Sequence, residues 1–455
     1  MTALQYADAQ RGAFLDQLKD LVHIPSISTD PTRTGDIQRA AEWLAADMRR
    51  IGLTRVEIMP TAGHPVVYGE WLGAGANAPT VLIYGHYDVQ PAVLTDGWHS
   101  EPFEPVERNG KLYARGSSDD KGQALAQVKA VESLMAEGRK PGVNIKFLIE
   151  GEEEIGSPNL GTFVAQHRDL LKADVCVVSD TGMKDMNQPS ICYATRGLMY
   201  FELEVIGPSQ DLHSGGFGGI VHNPAQVIAE MIAALHTPDG RITVPGFYEA
   251  VAELSAAERE TLRHSAPTEA DWKAVSGVSG FWGEAGYELH ERVGARPTLE
   301  VNGIVSGFYG AGSKTVLPAK ALAKLSCRLV PNQEPRAIFE QVKAYLLSIA
   351  PPTVRAEVRL IAEAYPAVMD LHSNAMQAAT VAYERGWGRK PIFERGGGTL
   401  PILADFQRQL NNLPIILMGF GLSSDGAHGP NESFTIEMFH KGIATAICFY
   451  EELAK

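Results

Sequence analysis

Basic residues are outnumbered in this chain of 455 residues: 40 lysines and arginines stand against 54 aspartates and glutamates, for a formal net charge of −14. Nucleic acids are bound through basic faces, so this balance argues against nucleic acid as a partner. An acidic balance otherwise bears on solubility and says nothing about fold.

Cysteine is scarce, with four residues that form no CxxC pair and lie in or beside apolar runs: Cys176, Cys192, Cys327 and Cys448. Buried free thiols are typical of a reducing compartment. No apolar run approaches the roughly 20 residues of a membrane span. The N-terminal segment lacks a basic stretch followed by an apolar core, which argues against a signal peptide. We expect a cytoplasmic protein that does not bind a membrane.

The length predicts two domains, because a chain of 455 residues is too long for one compact core. Residues 1–195 alternate strand and helix signals, with buried strands at 80–84, 143–149 and 175–178. Buried strands separated by helices predict a mostly parallel sheet with helices on both faces. The predicted class of this first part is therefore α/β.

The texture changes between residues 196 and 371, where segments such as 200–206 and 319–329 alternate apolar and polar residues. Alternation predicts half-exposed strands, so this part is expected to be an inserted α+β domain. Residues 240–300 give no clear signal. The α/β pattern returns at 372–455, with a strand at 413–418, which predicts that the first domain continues there.

Candidate metal ligands follow the predicted strands. His86 ends the first strand and Asp88 lies two residues further, on the same side of extended backbone, where its carboxylate can orient the imidazole. Asp119 and Asp120 follow a Gly-Ser turn and precede a helix. Each feature alone also fits an ordinary structural role, a polar pair for the first and helix capping for the second.

Further acids and a histidine follow the other strands. Glu150 and the run Glu152 to Glu154 crowd the end of the second strand, where carboxylates repel one another unless a cation lies among them. A solvated charged loop is the alternative. Asp180 follows the third strand, and His428 lies in a glycine-containing loop after the strand at 413–418. Either residue alone is more often structural.

Taken together, these segments predict a dinuclear metal site. Loops that follow parallel strands meet at the carboxyl edge of the sheet. Two histidines and at least three carboxylates suit two borderline ions such as Zn²⁺, each with an open coordination position.

Nine motifs make the sequence resemble, over nearly its whole length, the dizinc peptidase and amidohydrolase family of carnosinase, cytosolic nonspecific dipeptidase, carboxypeptidase G and acetylornithine deacetylase. The resemblance is strongest to the dipeptidase branch. The motifs are GHYDVQP (85–91), RGSSDDKG (115–122), EGEEEIGS (150–157), SDTG (179–182), DLHSG (211–215), SKTVLP (313–318), RLVPN (328–332), ERGGGTLP (394–401) and SSDGAHGPNE (423–432).

The resemblance implies a role for each matching residue around two divalent ions, with zinc as the first choice and manganese or cobalt as alternatives. Asp119 would bind both ions, and its peptide bond to Asp120 would be cis. Asp88 would orient His86. Glu153 would act as general base on a metal-bridging water, although the extra Glu152 leaves this register open by one residue. The implied ligands are His86, Asp119, Glu154, Asp180 and His428.

The resemblance also makes the insert a lid and dimerisation domain. His213 would reach the active site of the partner subunit of a homodimer, although the residues alone favour a turn histidine. Arg328 would bind the substrate's C-terminal carboxylate, a task that suits a planar guanidinium, in place of a surface salt bridge. Further substrate-side candidates are Thr315, Gly397, Gly398, Thr399 and His372.

The predicted function is metal-dependent hydrolysis of the amide bond of dipeptides or short peptides that have a free C-terminal carboxylate. One alternative is an N-acyl-amino-acid deacylase. A more distant alternative is a dimeric metal-binding protein without catalysis, which the presence of both Asp88 and Glu153 disfavours.

Overall fold

The computed structural model describes all 455 residues, and they form two compact units. The first unit comprises Met1–Tyr193, Met369–Phe393 and Asp405–Lys455, and the second comprises Ala194–Val368 and Glu394–Ala404. None of the helices is both long enough and apolar enough to cross a membrane.

The segment Glu394–Ala404 lies in the second unit, whereas the sequence assigned all of 372–455 to the first domain. Backbone hydrogen bonds explain this placement. The N–H of Gly396 donates to the carbonyl of Ala194 (2.8 Å), and the N–H of Arg196 donates to the carbonyl of Gly398 (2.9 Å). The motif ERGGGTLP therefore belongs to the second unit, whereas the motif SSDGAHGPNE belongs to the first.

The main sheet has a parallel centre. Its strands are, in spatial order, Arg55–Met59, Val66–Trp71, Asn144–Glu150, Thr80–His86, Val175–Val178, Ile415–Leu417, Ser190–Thr195 and Ala367–Val368, and Ile392–Arg395 also pairs with Ser190–Thr195. The third to sixth of these strands are parallel to one another, and antiparallel pairs adjoin them on both sides. The predicted α/β class with a mostly parallel central sheet is confirmed.

Burial explains why the central strands were visible in the sequence. Every residue of Asn144–Glu150 and Val175–Val178 is buried, as expected for parallel strands that are covered on both faces. The helix Lys121–Met135 packs against Thr80–His86 and is itself buried at nearly every position. Gly85 permits this approach, because a Cβ atom there would lie 2.8 Å from Asp120 Oδ2 and 2.9 Å from Ala124 Cβ.

The remaining regular elements of the first unit surround this sheet. A three-stranded antiparallel sheet consists of Val106–Arg108, Lys111–Tyr113 and Ser433–Thr435, and Gly182–Met183 pairs in parallel with Gly421–Leu422. The other α-helices are Ala3–Ala9, Arg11–Val22, Thr34–Arg50, Leu160–Gln166, Arg168–Leu171, Asn374–Trp387 and Ile436–Leu453, and Pro401–Gln409 begins in the second unit and ends in the first.

The second unit contains a four-stranded antiparallel sheet in the order Thr298–Ser306, Lys320–Leu329, Gly197–Ile206 and Arg355–Ala364. The helices Pro224–Ala233 and Pro335–Ile349 pack on it and share its apolar core, which includes Phe201 and Leu325. Leu212–His213 pairs with Val316–Leu317. The other helices are Ser214–Phe217, Ala256–Ser265, Glu269–Ser276 and Leu289–Gly294.

Candidate metal centre and substrate-binding residues

The five predicted metal ligands lie in the first unit, at the carboxyl end of its parallel strands. His86 is the last residue of Thr80–His86, Glu154 lies shortly after Asn144–Glu150, and Asp180 shortly after Val175–Val178. Asp119 precedes the helix Lys121–Met135, and His428 lies in the loop between the turn Ser423–Asp425 and the strand Ser433–Thr435. Candidate ligands from distant segments of the chain thus lie together at one edge of the sheet.

His86, Asp119 and Asp180 form one group whose possible ligand atoms lie within 4.8 Å of one another. His86 Nε2 is 3.1 Å from Asp119 Oδ1 and 3.9 Å from Asp180 Oδ2. The imidazole is fully buried, and its other nitrogen, Nδ1, is 3.0 Å from the backbone oxygen of Asp88. A proton on Nδ1 would donate to that oxygen and leave the Nε2 lone pair for a metal ion.

Asp119, Glu154 and His428 form a second group within the same distance limit. His428 Nε2 is 3.0 Å from Asp119 Oδ2 and 3.1 Å from Glu154 Oε2. Asp119 therefore turns one carboxylate oxygen toward each histidine, as a carboxylate shared by two ions must do. Its peptide bond to Asp120 is cis. Nitrogen and oxygen ligands in two groups that share one carboxylate fit a pair of borderline divalent ions.

Asp88 supports both sides of the centre. One of its carboxylate oxygens is 3.4 Å from His86 Nδ1, and the two oxygens accept hydrogen bonds from the backbone N–H groups of Glu153 (3.2 Å) and Glu154 (3.1 Å). Gln90, which the sequence did not single out, donates from its side-chain amide to Glu154 Oε2 (2.7 Å). These bonds fix the backbone and the carboxylate of the acidic segment relative to His86.

The four glutamates of the acidic segment have different partners. Glu150 accepts hydrogen bonds from the hydroxyls of Tyr84 (2.6 Å) and Ser157 (2.7 Å). Glu152 accepts from the backbone N–H of His64 (3.0 Å) and from the Asn159 amide (2.9 Å). Both carboxylates are thus committed to the surrounding structure.

The crowding of charged groups shifts several pKa values. Burial, reinforced by Asp119, raises the pKa of Asp180 to about 7. Burial also raises the pKa of Glu153 to about 8, opposed by His86 and reinforced by Asp180 and Glu154. Hydrogen bonds to Asp119 and Glu154 raise the pKa of His428 to about 10. Divalent cations among these groups would instead favour ionised carboxylates and neutral imidazoles.

Glu432 holds the loops of Asp119 and His428 together, a role that the sequence did not reveal. Its buried carboxylate accepts hydrogen bonds from the Arg115 guanidinium (2.7 Å) and from the N–H groups of Gly116, Ser118 and Asp119 (3.0–3.1 Å). Arg115 also donates to the backbone oxygens of His428 and Gly429, each at 3.2 Å. The only signal was that both residues lie inside the quoted motifs.

In the second unit, Arg328 and Thr399 are in direct contact. Arg328 Nη1 donates to the Thr399 hydroxyl (2.7 Å), and that hydroxyl donates to the backbone oxygen of Arg196 (2.7 Å). The Arg196 side chain in turn donates from Nε to the Gly397 carbonyl (3.0 Å). The Thr399 hydroxyl, a predicted substrate-side group, thus contacts both Arg328 and Arg196 in this structure.

His213 and Thr315 lie side by side in the second unit and are both exposed. His213 belongs to the short strand that pairs with Val316–Leu317, and the N–H of Ser214 donates to the carbonyl of Thr315 (3.0 Å). The Asp211 carboxylate accepts from the N–H of Ala319 (2.9 Å) and so ties the two segments together.

His372 lies at the other end of the main sheet from the predicted ligands. The next residues, Ser373 and Asn374, line a cavity with Pro79 and Val175. Pro79 and Val175 mark the starts of strands whose far ends carry His86 and Asp180. A strand of this length spans about 20 Å. The structure therefore does not bring His372 to the cluster of candidate metal ligands.

These features are typical of α/β enzymes whose active site can hold metal ions. Comparison with known proteins identifies the family. Residues 82–452 match Peptidase family M20/M25/M40. The chain belongs to this family and is a peptidase.

Three relatives illustrate the similarity, each over almost the entire length of both chains. The Cys-Gly metallodipeptidase dug1 of Schizosaccharomyces pombe is 32% identical, with 98% of this chain and 97% of the relative covered. The Beta-Ala-His dipeptidase of Homo sapiens is 33% identical, with 99% and 92% covered. The crystal structure of the M20 family metallo-carboxypeptidase Sso-CP2 from Sulfolobus solfataricus has a TM-score of 0.86 at 33% identity, with 97% and 99% covered.

Proposed function

We propose that this peptidase hydrolyses the peptide bond of dipeptides or short peptides that carry a free C-terminal carboxylate, with two divalent metal ions as cofactors. The observation that carries the proposal is the position of Asp119, which directs one oxygen to each of two ligand groups. Relatives named as dipeptidases, at 32–33% identity along nearly the full chain, support the substrate class.

The proposed ligands divide into two sets that share Asp119. His86 and Asp180 would hold one ion, and Glu154 and His428 the other. Zinc is the first candidate because the ligands are imidazoles and carboxylates, and manganese and cobalt are alternatives. Two such ions, when bound, supply Lewis-acid polarisation of a carbonyl and lower the pKa of a water molecule.

Glu153 is the proposed general base. Because Glu150 and Glu152 are held by other partners, Glu153 and Glu154 are the glutamates of this segment that remain for the site. Glu154 contacts His428 and is a ligand candidate, which leaves Glu153 to accept the proton of the attacking water and deliver it to the leaving amine. Asp88 would orient His86 and fix the backbone of Glu153.

Arg328 is the proposed binding group for the substrate's C-terminal carboxylate. Its guanidinium is half-buried and is held by Thr399, so it can present a fixed planar face to a carboxylate. The turn that contains Gly397 and Gly398 is fixed by Arg196 beside it. Thr315, next to His213, is a further substrate-side candidate.

We further propose that residues 196–371 form a lid and dimerisation domain, and that the active unit is a cytoplasmic homodimer. His213 would cross to the partner's active site and donate a hydrogen bond to the oxyanion that develops at the scissile carbonyl. The edge strand Thr298–Ser306 supports dimerisation, because its positions 300–305 are exposed and include Val301, Ile304 and Val305. Four buried thiols without disulfides support the compartment.

A metal-reconstitution assay tests the proposal. The chelated protein is incubated with Zn²⁺, Mn²⁺ or Co²⁺ at increasing stoichiometry, and release of free amino acid is measured for Ala-Ala, Ala-Ala amide and N-acetyl-Ala. We expect hydrolysis of Ala-Ala to appear with two equivalents of metal, and the amide, which lacks the carboxylate, to be a poor substrate. Hydrolysis of N-acetyl-Ala alone would assign a deacylase, and metal binding without any hydrolysis would assign a non-catalytic protein. Full activity with one equivalent would exclude the dinuclear centre.

A further inference from the structure

The second unit contains a cavity of about 430 Å³ that includes Arg328. Its size lies within the range of about 300–1,000 Å³ that is usual for small-molecule sites. Its lining includes six charged side chains, which are Arg196, Arg292, Arg296, Arg328, Glu284 and Glu300. The side chains of Trp282 and His236 add an aromatic edge. Such a lining suits a small charged ligand.

The ion pairs within this lining leave positive charge in excess. Arg296 binds Glu284 through two hydrogen bonds of 2.8 Å, so these two charges neutralise each other. Arg292 donates from Nε to a backbone oxygen, that of Tyr287 (2.9 Å), and makes no ion pair. Arg196 and Arg328 also lack a carboxylate partner. Three guanidinium groups thus stand against the single carboxylate of Glu300.

Arg196 provides an independent sign of a missing anion. Its Nη1 atom is buried and has no hydrogen-bond partner, although the Nε atom of the same side chain is used to hold Gly397. A buried guanidinium nitrogen without an acceptor is costly, because it has lost water and gained nothing in return. An anionic ligand in the cavity would offset the charge of this guanidinium electrostatically.

The electrostatics of the cavity agree with this reading. Burial, and after it the positive charge of Arg328, lowers the pKa of Arg196 to about 10. Glu300, the single carboxylate among these guanidinium groups, is itself exposed on the strand Thr298–Ser306, so water screens its attraction for them. A ligand with a positive side chain would meet three cations, whereas one with a negative side chain would relieve their repulsion.

We propose that this cavity binds the acidic side chain of the residue on the C-terminal side of the scissile bond, so that dipeptides ending in glutamate or aspartate are preferred substrates. The inference rests on the proposed function, in which Arg328 binds the α-carboxylate of that same residue. Arg292 and Arg196 then bind the second carboxylate of the substrate, and the negative charge of Glu300 limits the affinity for it.

The test compares kcat/KM for Ala-Glu with that for Ala-Gln, which differ only in the charge of the side chain. We expect the wild-type enzyme to favour Ala-Glu by about tenfold, the smaller end of what a charge-assisted hydrogen bond contributes. Arg292→Gln should remove most of this preference and Glu300→Gln should increase it. A misfolded site would lower kcat/KM for both dipeptides alike. A ratio of Ala-Glu to Ala-Gln that falls in Arg292→Gln and rises in Glu300→Gln is therefore diagnostic.

Arg359→Gln is the matched control, because it removes the same charge from an exposed arginine of the second unit that lies outside the cavity and contacts Glu202. It should leave the ratio unchanged. Equal use of both dipeptides by an active enzyme would overturn the inference but leave the proposed function intact. Calorimetric titration with glutamate and glutamine tests the cavity without turnover: tighter glutamate binding that Arg292→Gln weakens supports the inference, and equal binding overturns it.

Discussion

Four glutamates within the segment 150–154 serve different purposes because each carboxylate has different neighbours. Glu150 and Glu152 are held by neutral hydrogen-bond donors of the surrounding loops, among them Tyr84, Ser157 and Asn159. Glu154 contacts His428 and Gln90, and Glu153 is left half-buried beside Asp180 and Glu154. A carboxylate that is not tied to other side chains can accept a proton from a water molecule and release it again.

The first prediction separates these roles. Glu153→Gln should retain two bound metal ions and normal folding but lower kcat by at least about 10²-fold, the low end for the loss of a general base. Glu152→Gln is the matched control, since its neighbours are a backbone N–H and an amide, and it should retain most of the rate. Elemental analysis and steady-state kinetics on both variants provide the readouts. Metal loss in Glu153→Gln together with a rate defect in Glu152→Gln would shift the assignment by one residue.

The second prediction concerns Glu432, the buried partner of Arg115. Glu432→Gln leaves that guanidinium without a charged acceptor, and removing one member of a buried pair typically costs about 3–5 kcal/mol. Because Glu432 also binds the N–H of Asp119, metal affinity should fall roughly 10- to 100-fold, as for other groups that orient ligands.

The control for Glu432 is Glu437→Gln, which removes an exposed glutamate paired with Arg11 and should change stability by less than about 1 kcal/mol. Thermal unfolding with and without metal, and competition with a chelator, measure both effects. Equal unfolding midpoints and metal affinities for the two variants would show that Glu432 does not organise the centre.

At the scale of elements, the contact between Thr80–His86 and the helix Lys121–Met135 brings His86 beside Asp119. We predict that Gly85→Ala forces these elements apart, because the added Cβ would meet Asp120 and Ala124 at less than 3 Å. Overpacking of this kind costs about 1–3 kcal/mol. Gly12→Ala is the control: nothing lies within 4 Å of its added Cβ, and alanine favours its helix. Denaturant unfolding should show a lower midpoint for Gly85→Ala only.

The elements that the sequence predicted well are strands that are buried on both faces. The strands at 80–86, 144–150 and 175–178 are covered on both faces and therefore stand out as continuous apolar runs. The region 240–300 was not assigned because its helices are short and largely exposed. The helix Glu269–Ser276 buries no residue at all, so it carries no apolar stripe that a pattern could reveal.

The same distinction applies to the site. Candidate metal ligands were predictable because each stands close to the end of a recognisable element. Glu432 and Arg115 were not, since they are 317 residues apart in the chain and acquire their role only through contact in the folded state. The cavity around Arg196 and Arg292 was invisible for a related reason, because charge excess depends on which neighbours pair with one another.

At the scale of the whole molecule, the surface of the second unit bears apolar residues that a free monomer would expose to water. Val301, Ile304 and Val305 lie on an edge strand that is paired on one side only, and Phe308 and Tyr309 follow it, with Tyr309 87% exposed. Exposed edges of this kind attract another strand or another subunit. His213 is likewise exposed in the second unit, whereas the candidate ligands all belong to the first. A homodimer with shared active sites would account for both features.

The last prediction tests that sharing directly. His213→Ala and Glu153→Gln homodimers should each be inactive, but a mixed dimer has one site that combines an intact Glu153 with an intact His213 from the other chain. In a two-fold dimer, random mixing makes about half of the dimers mixed and so restores about a quarter of the sites. Activity is measured after subunit exchange, which two distinguishable tags verify. The activity relative to the wild-type enzyme gives the fraction of restored sites. Activity that stays at the level of the separate variants despite complete exchange would mean that His213 serves its own subunit or has no part in the reaction.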